Sequence, residues 1–106
     1  MKYIGRIQDD RLLEADERIV IYGCGATGKQ VYEELKKKGL SFRVCAFCDG
    51  DLRQVGKQIQ RIPILSVKEA AKTYREAAFL VSSCCVRDMV TTLQENHIDN
   101  IHITRV

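Results

Sequence analysis

The stretch Ile19-Val20-Ile21-Tyr22-Gly23-Cys24-Gly25-Ala26-Thr27-Gly28 decides how this chain is read. Its first four residues are β-branched or aromatic and show no polar alternation, as expected of a central parallel strand covered on both faces. Glycines follow at once in a G-x-G-x-x-G pattern. A helical stretch then runs from Ala26 to Lys38, with Val31, Tyr32 and Leu35 as its apolar stripe and Lys29, Glu33, Glu34, Lys36 and Lys37 on the wet side. Gly39 supplies the stop. In such a strand–loop–helix unit Gly23 can take the tight turn and Gly25 lets backbone approach a pyrophosphate. Gly28 allows close helix–strand packing. Free N–H groups at the helix start, with the dipole behind them, make an anion site that needs no basic side chain.

Working outward, Phe42–Cys48 reads as a second strand ending in Asp49-Gly50-Asp51. Asp49 stands 21 positions after Gly28, close to the spacing of a carboxylate that accepts hydrogen bonds from ribose hydroxyls. It is expected at an exposed strand end, so that its loss changes stability little; the competing reading is a solvated Asp-Gly turn. Leu52–Arg61 is polar without a helical stripe and reads as a loop. Ile62–Leu65 is a third strand, which Pro63 confines to an edge. Ser66-Val67-Lys68-Glu69 is a capping box opening a helix with Val67, Ala70, Ala71 and Tyr74 inward. Ala77–Val81 is the fourth strand. Val86–Glu95 is a helix with Val86, Met89, Val90 and Leu93 inward, and Ile101–Ile103 is the last strand. Residues 1–18 carry Ile4, Ile7, Leu12 and Leu13 in no clear period and are expected to form a short helix or a docking arm.

This alternation defines an α/β chain: one domain over 1–106, with an amino-terminal arm (1–18) and a core (19–106). The expected architecture is a parallel sheet of about five strands in the order 3-2-1-4-5, with helices on both faces. Winding reverses between the first and fourth strands, and ligands sit in that crevice beyond the carboxyl ends of the strands. Three segments should meet there: Gly23–Gly28, Asp49, and Ser82-Ser83. The two serines either contact ligand or cap the helix at Val86.

Composition excludes several classes. The 106 residues carry 17 Lys+Arg against 14 Asp+Glu, with 45% apolar and 29% charged residues, as in a globular domain. The longest apolar runs, five residues at Val44–Cys48 and Ala77–Val81, are far short of the roughly 20 residues of a membrane span. Met-Lys-Tyr-Ile-Gly-Arg lacks the apolar region of a secretory signal, so a cytoplasmic location is expected. A formal charge of +3 without a basic tract weighs against nucleic acid. Five cysteines, an odd number, suit reduced thiols. Cys45 and Cys48 have C-x-x-C spacing, but positions i and i+3 of a strand point to opposite faces, so no metal is expected. Gly28-Lys29 ends a near P-loop whose next residue is Gln30, leaving no hydroxyl for Mg²⁺. His97 and His102 read as surface or loop histidines, and Cys84-Cys85 as thiols near the crevice. No catalytic residue is assigned.

The opening string resembles a bacterial family when taken with Ala46-Phe47-Cys48-Asp49-Gly50-Asp51 and the later Val55-Gly56-Lys57-x-Ile59-x-x-Ile62-Pro63-Ile64-Leu65. That family is the Rossmann-like domain found at the amino terminus of nucleotide-sugar dehydratases and sugar acetyltransferases. Arg61 stands where that family often has glycine. The resemblance implies a nucleotide ligand of the NAD(H) or UDP-sugar type at the glycine loop (Gly23, Cys24, Gly25, Ala26, Thr27, Gly28) and Asp49; the topology adds Ser82 and Ser83 as candidates, and no metal is expected. The chain therefore reads as a small-molecule nucleotide-binding module, non-catalytic alone, in or beside sugar-nucleotide metabolism. Its expected partners are a carboxy-terminal catalytic domain or a second copy of itself. The alternatives are an NAD(P)-dependent oxidoreductase fragment lacking its substrate domain, and a structural interaction domain whose glycines only pack helix on strand.

Overall fold

The computed structural model describes residues 2–6, 17–82 and 85–105, with residues 2–6 and 105 described by backbone alone. Seven strands form one sheet: β1 (Lys2–Arg6), β2 (Ile19–Tyr22), β3 (Val44–Asp49), β4 (Gln58–Ile59), β5 (Ile62–Ser66), β6 (Ala78–Val81) and β7 (Ile101–Arg105). Among the described residues three α-helices lie between them: α1 (Ala26–Lys37), α2 (Val67–Thr73) and α3 (Val86–Glu95). The strand order is β1-β7-β6-β2-β3-β5-β4. For the five expected strands this is the order 3-2-1-4-5, and all their pairings are parallel.

Two elements extend that sheet. Part of the amino-terminal arm is a strand: β1 runs parallel to β7, with Lys2 opposite His102 and Arg6 opposite Arg105. Residues 7–16 of the arm lie outside the described residues. At the other edge, the expected loop over 52–61 contains β4, which pairs antiparallel with β5 and makes the proline strand next to last. Pro63 is still tolerated there. The register of β5 with β3 begins only at Ile64, so the missing proline N–H costs no bond on that side.

Burial follows the sequence pattern closely. β2 and β6 are buried along their whole length, as strands covered on both faces must be. One face packs Ile19, Ile21, Phe47, Ile64 and Leu80 under Val31, Tyr32 and Leu35 of α1. The other packs Val20, Tyr22, Phe79 and Val81 under α2 and α3, through Val67, Ala70, Ala71, Val90 and Leu93. Each such side chain contributes about 1.5–3 kcal/mol when fully buried. The second strand starts later than expected. Ser41–Arg43 is a 3₁₀ turn, and its Phe42 is 80% exposed.

The helix caps bear out their sequence signals. Ser66 Oγ accepts the Glu69 N–H at 3.1 Å at the start of α2. Past α1, the Gly39 N–H donates to the Lys36 carbonyl and the Leu40 N–H to the Leu35 carbonyl, a Schellman closure. The same closure follows α3, from His97 to Gln94 and from Ile98 to Leu93. There the left-handed position, φ 65°, is held by His97. Such a conformation costs an L-residue roughly 1–2 kcal/mol. His97→Gly is therefore expected to raise stability by about 1 kcal/mol and the melting temperature by roughly 4–8 °C. Differential scanning calorimetry checks this; an unchanged or lowered Tm would show that His97 carries no such strain. The β4–β5 turn repeats the theme, with Gln60 at φ 52° and Arg61 at φ 68° in a two-residue hairpin of the I′ kind.

Candidate functional site

The β2–α1 loop is locked from both sides. Gly23 adopts φ +104°, a region L side chains rarely enter, and its N–H donates to the Cys48 carbonyl at 2.7 Å. A Cβ on Gly28 would lie 1.8 Å from the Gly23 carbonyl oxygen, so the first turn of α1 sits directly on the loop. Both glycines are therefore demanded by the fold. Gly25 is not. Its φ of −77° and ψ of −160° suit any residue, and a Cβ there would meet nothing within 4 Å.

What Gly25 leaves open is the mouth of a cleft of about 210 Å³ beyond the carboxyl ends of the strands. Gly23, Gly25, Ala26, Thr27 and Gly28 form one wall, and Asp49, Ser82 and Met89 the rest. At its start α1 has no capping side chain and no acidic residue in its first turn. The positive end of its dipole, with first-turn N–H groups that no described side chain caps, thus faces the cleft, and the carboxylate nearest to it is that of Asp49. This is an arrangement for an anion, and for a phosphate in particular.

Asp49 does not stand at the exposed strand end that the sequence led us to expect, although it does form an Asx turn with the Asp51 N–H. It is half-buried at the end of β3 and turned toward the loop. Its Oδ2 accepts both the Cys24 N–H and the Cys24 thiol at 3.0 Å, and its Oδ1 accepts the Asp51 N–H at 2.8 Å. Partial burial pushes this carboxyl up, but the three hydrogen bonds outweigh it and hold it below the ordinary value. Burial, then the neighbouring Asp49 carboxylate, pushes the Cys24 thiol up to about 11. At neutral pH the thiol donates and the carboxylate is ionised.

Ser82 is buried at the end of β6 and lines the cleft, while the N-cap of α3 is Cys85 and carries no side-chain capping bond. Ser83 and Cys84 lie outside the described residues. Met89 is a cleft residue that the helical stripe of α3 could only assign to the core. The Cys24 thiol contact is likewise invisible in sequence, because it joins residues 25 apart.

Two sequence readings need correcting. A register slip between Ile19 and Val20 in the β2–β3 pairing places Cys45 against the same cluster as Cys48, so the two are not on opposite faces. Still, among the described residues no group of three or more His, Cys, Asp or Glu could hold a metal ion. His102 is buried in β7 rather than exposed, with Nε2 2.7 Å from Asn100 Oδ1; the Asn100 amide in turn donates to the Glu17 carboxylate. A larger hollow of about 460 Å³ lies between Glu17-Arg18 and Lys72–Ala77, before β2 and β6 begin, and holds none of the expected site residues.

Fold and site together define a Rossmann-like nucleotide-binding domain. Residues 14–104 match the family described as the CoA binding domain, and the chain belongs to that family. No curated protein matches it. Among solved structures it is similar to UDP-D-quinovosamine 4-dehydrogenase from Vibrio fischeri, with a TM-score of 0.65 and 22% identity over 87% of this chain and 81% of that one. It is also similar to RSP, a Rex-family repressor, with a TM-score of 0.62 and 13% identity over 93% of this chain and 57% of that one. At these identities the likeness is one of fold. Among the described residues no helix is long and apolar enough to cross a membrane.

Proposed function

We propose that the chain binds a nucleotide of the NAD(H) or UDP-sugar type in the cleft of the β2–α1 loop. In this reading Gly23–Gly28 cradle the phosphates, Asp49 accepts ribose, and Ser82-Ser83 form the facing wall. The domain spans residues 1–106, acts without catalysis of its own, and serves sugar-nucleotide metabolism in the cytoplasm. A carboxy-terminal catalytic domain or a second copy supplies the remaining walls. One observation carries the reading most directly: the fold explains Gly23 and Gly28, while Gly25 is left with open space at a helix start that has no capping side chain. The ionised Asp49 argues for a ribose with free hydroxyls over one bearing a 2′-phosphate, and so for NAD(H) over NADP(H). The relationship in fold to a UDP-sugar dehydrogenase lends support.

A thermal-shift panel of UDP, a UDP-sugar, NAD⁺, NADH, NADP⁺, CoA and ATP tests this. A ligand at 100 times its Kd adds about 2.7 kcal/mol, or roughly 10–20 °C in a domain this small. A flat response across the panel would favour packing as the sole role of the glycines. Asp49→Ala should weaken the best ligand about ten- to a hundredfold. It should also cost about 1 kcal/mol of stability, more than an exposed strand end would, because the N–H groups of Cys24 and Asp51 lose their acceptor. Unchanged affinity on titration calorimetry would remove Asp49 from the ribose.

A further inference from the structure

We infer that Cys24 determines how many ribose hydroxyls Asp49 can accept, restricting it to one where an unobstructed carboxylate would take two. This rests on the nucleotide reading above and concerns its specificity. A carboxylate offers about four acceptor positions, two on each oxygen. The Cys24 N–H and the Cys24 thiol, both at 3.0 Å, fill the two on Oδ2. The Asp51 N–H at 2.8 Å takes one of the two on Oδ1. One position is left for a ligand.

The thiol is well placed to keep its share. Cys24 is only 9% exposed, packed in the cluster beneath α1 with Ile19, Val31 and Phe47, and a buried donor gains little by turning away from an ionised acceptor. The two N–H groups are backbone and would be present with any residue at 24. The thiol alone is a choice of side chain. Alanine at 24 would leave Asp49 oriented by the same two N–H groups and return one acceptor position on Oδ2 to the ligand.

Titration calorimetry on the full chain tests this with ADP, 2′-deoxyADP and 3′-deoxyADP, and with UDP and its two deoxy counterparts. Wild type should lose about ten- to a hundredfold in affinity for one deoxy analogue of the parent it binds. For the other it should stay within about twofold. Cys24→Ala should lose affinity for both analogues, whereas Cys24→Ser, whose hydroxyl donates in place of the thiol, should keep the wild-type pattern. Sensitivity of wild type to both deletions, or a wild-type pattern in Cys24→Ala, would overturn this role for Cys24 and leave the nucleotide reading standing. Indifference of wild type to both deletions would take Asp49 away from the ribose. Failure to bind either parent would overturn the nucleotide reading and this inference together. Should Cys24→Ala fail to fold, the wild-type series alone decides.

Discussion

Gly28→Ala is expected to cost roughly 3 kcal/mol or more, a large share of the 5–15 kcal/mol that holds a domain of this kind together. The added Cβ would stand 1.8 Å from the Gly23 carbonyl oxygen and 2.7 Å from its carbon. Neither atom belongs to a side chain that could rotate aside. Gly23 is held by its N–H to the Cys48 carbonyl at 2.7 Å and by a left-handed backbone, so relief requires α1 to lift from the sheet. Lifting α1 uncovers Val31, Tyr32 and Leu35 from the core they share with Ile21 and Phe47. Urea unfolding of Gly28→Ala measures the cost. A variant within about 1 kcal/mol of wild type would mean that loop and helix separate far more easily than their contact suggests.

Gly25→Val separates the site from the scaffold. Valine accepts an extended backbone, and nothing lies within 4 Å of its Cβ, so the fold should survive at a cost of about 1 kcal/mol for a poorer N-cap. Its isopropyl group would nevertheless stand at the mouth of the cleft, over the first N–H groups of α1, where a phosphate must approach. Nucleotide affinity should fall by at least about a hundredfold, equivalent to about 2.7 kcal/mol. Calorimetry alongside circular dichroism gives the answer: a folded Gly25→Val protein with wild-type affinity would leave the loop with a packing role alone. The two substitutions are complementary. Position 28 tests why the fold needs glycine, and position 25 tests whether a ligand does.

Strand and helix types were legible because burial imposes a period on the sequence. Ile19–Tyr22 has no polar alternation and is buried on both faces; Val31, Tyr32 and Leu35 recur at helical spacing and form the underside of α1. Caps were legible where one residue carries the chemistry, as with Ser66 and Gly39. The edges of the sheet were harder. β4 is two residues long, and its turn is built by Gln60 and Arg61, which give no turn signal although both take positive φ. β1 carries no period of its own and is defined by its partner β7.

Local pattern was enough to establish that a parallel α/β sheet forms, that its five central strands run 3-2-1-4-5, and that a glycine loop meets an acidic strand end at the point where the winding reverses. These follow from periodicities, from turn chemistry and from the fixed hand of crossovers, all of which act over a few residues or through general topology. What those residues do to one another came from packing in three dimensions. It showed that Gly28 bears on Gly23 while Gly25 stays open, and that Asp49 turns inward to Cys24. It also showed that a register slip carries Cys45 to the side of Cys48. Each of these is a contact between residues brought together by packing, where tenths of an ångström and the direction of one side chain settle the outcome, and neither is written in local sequence.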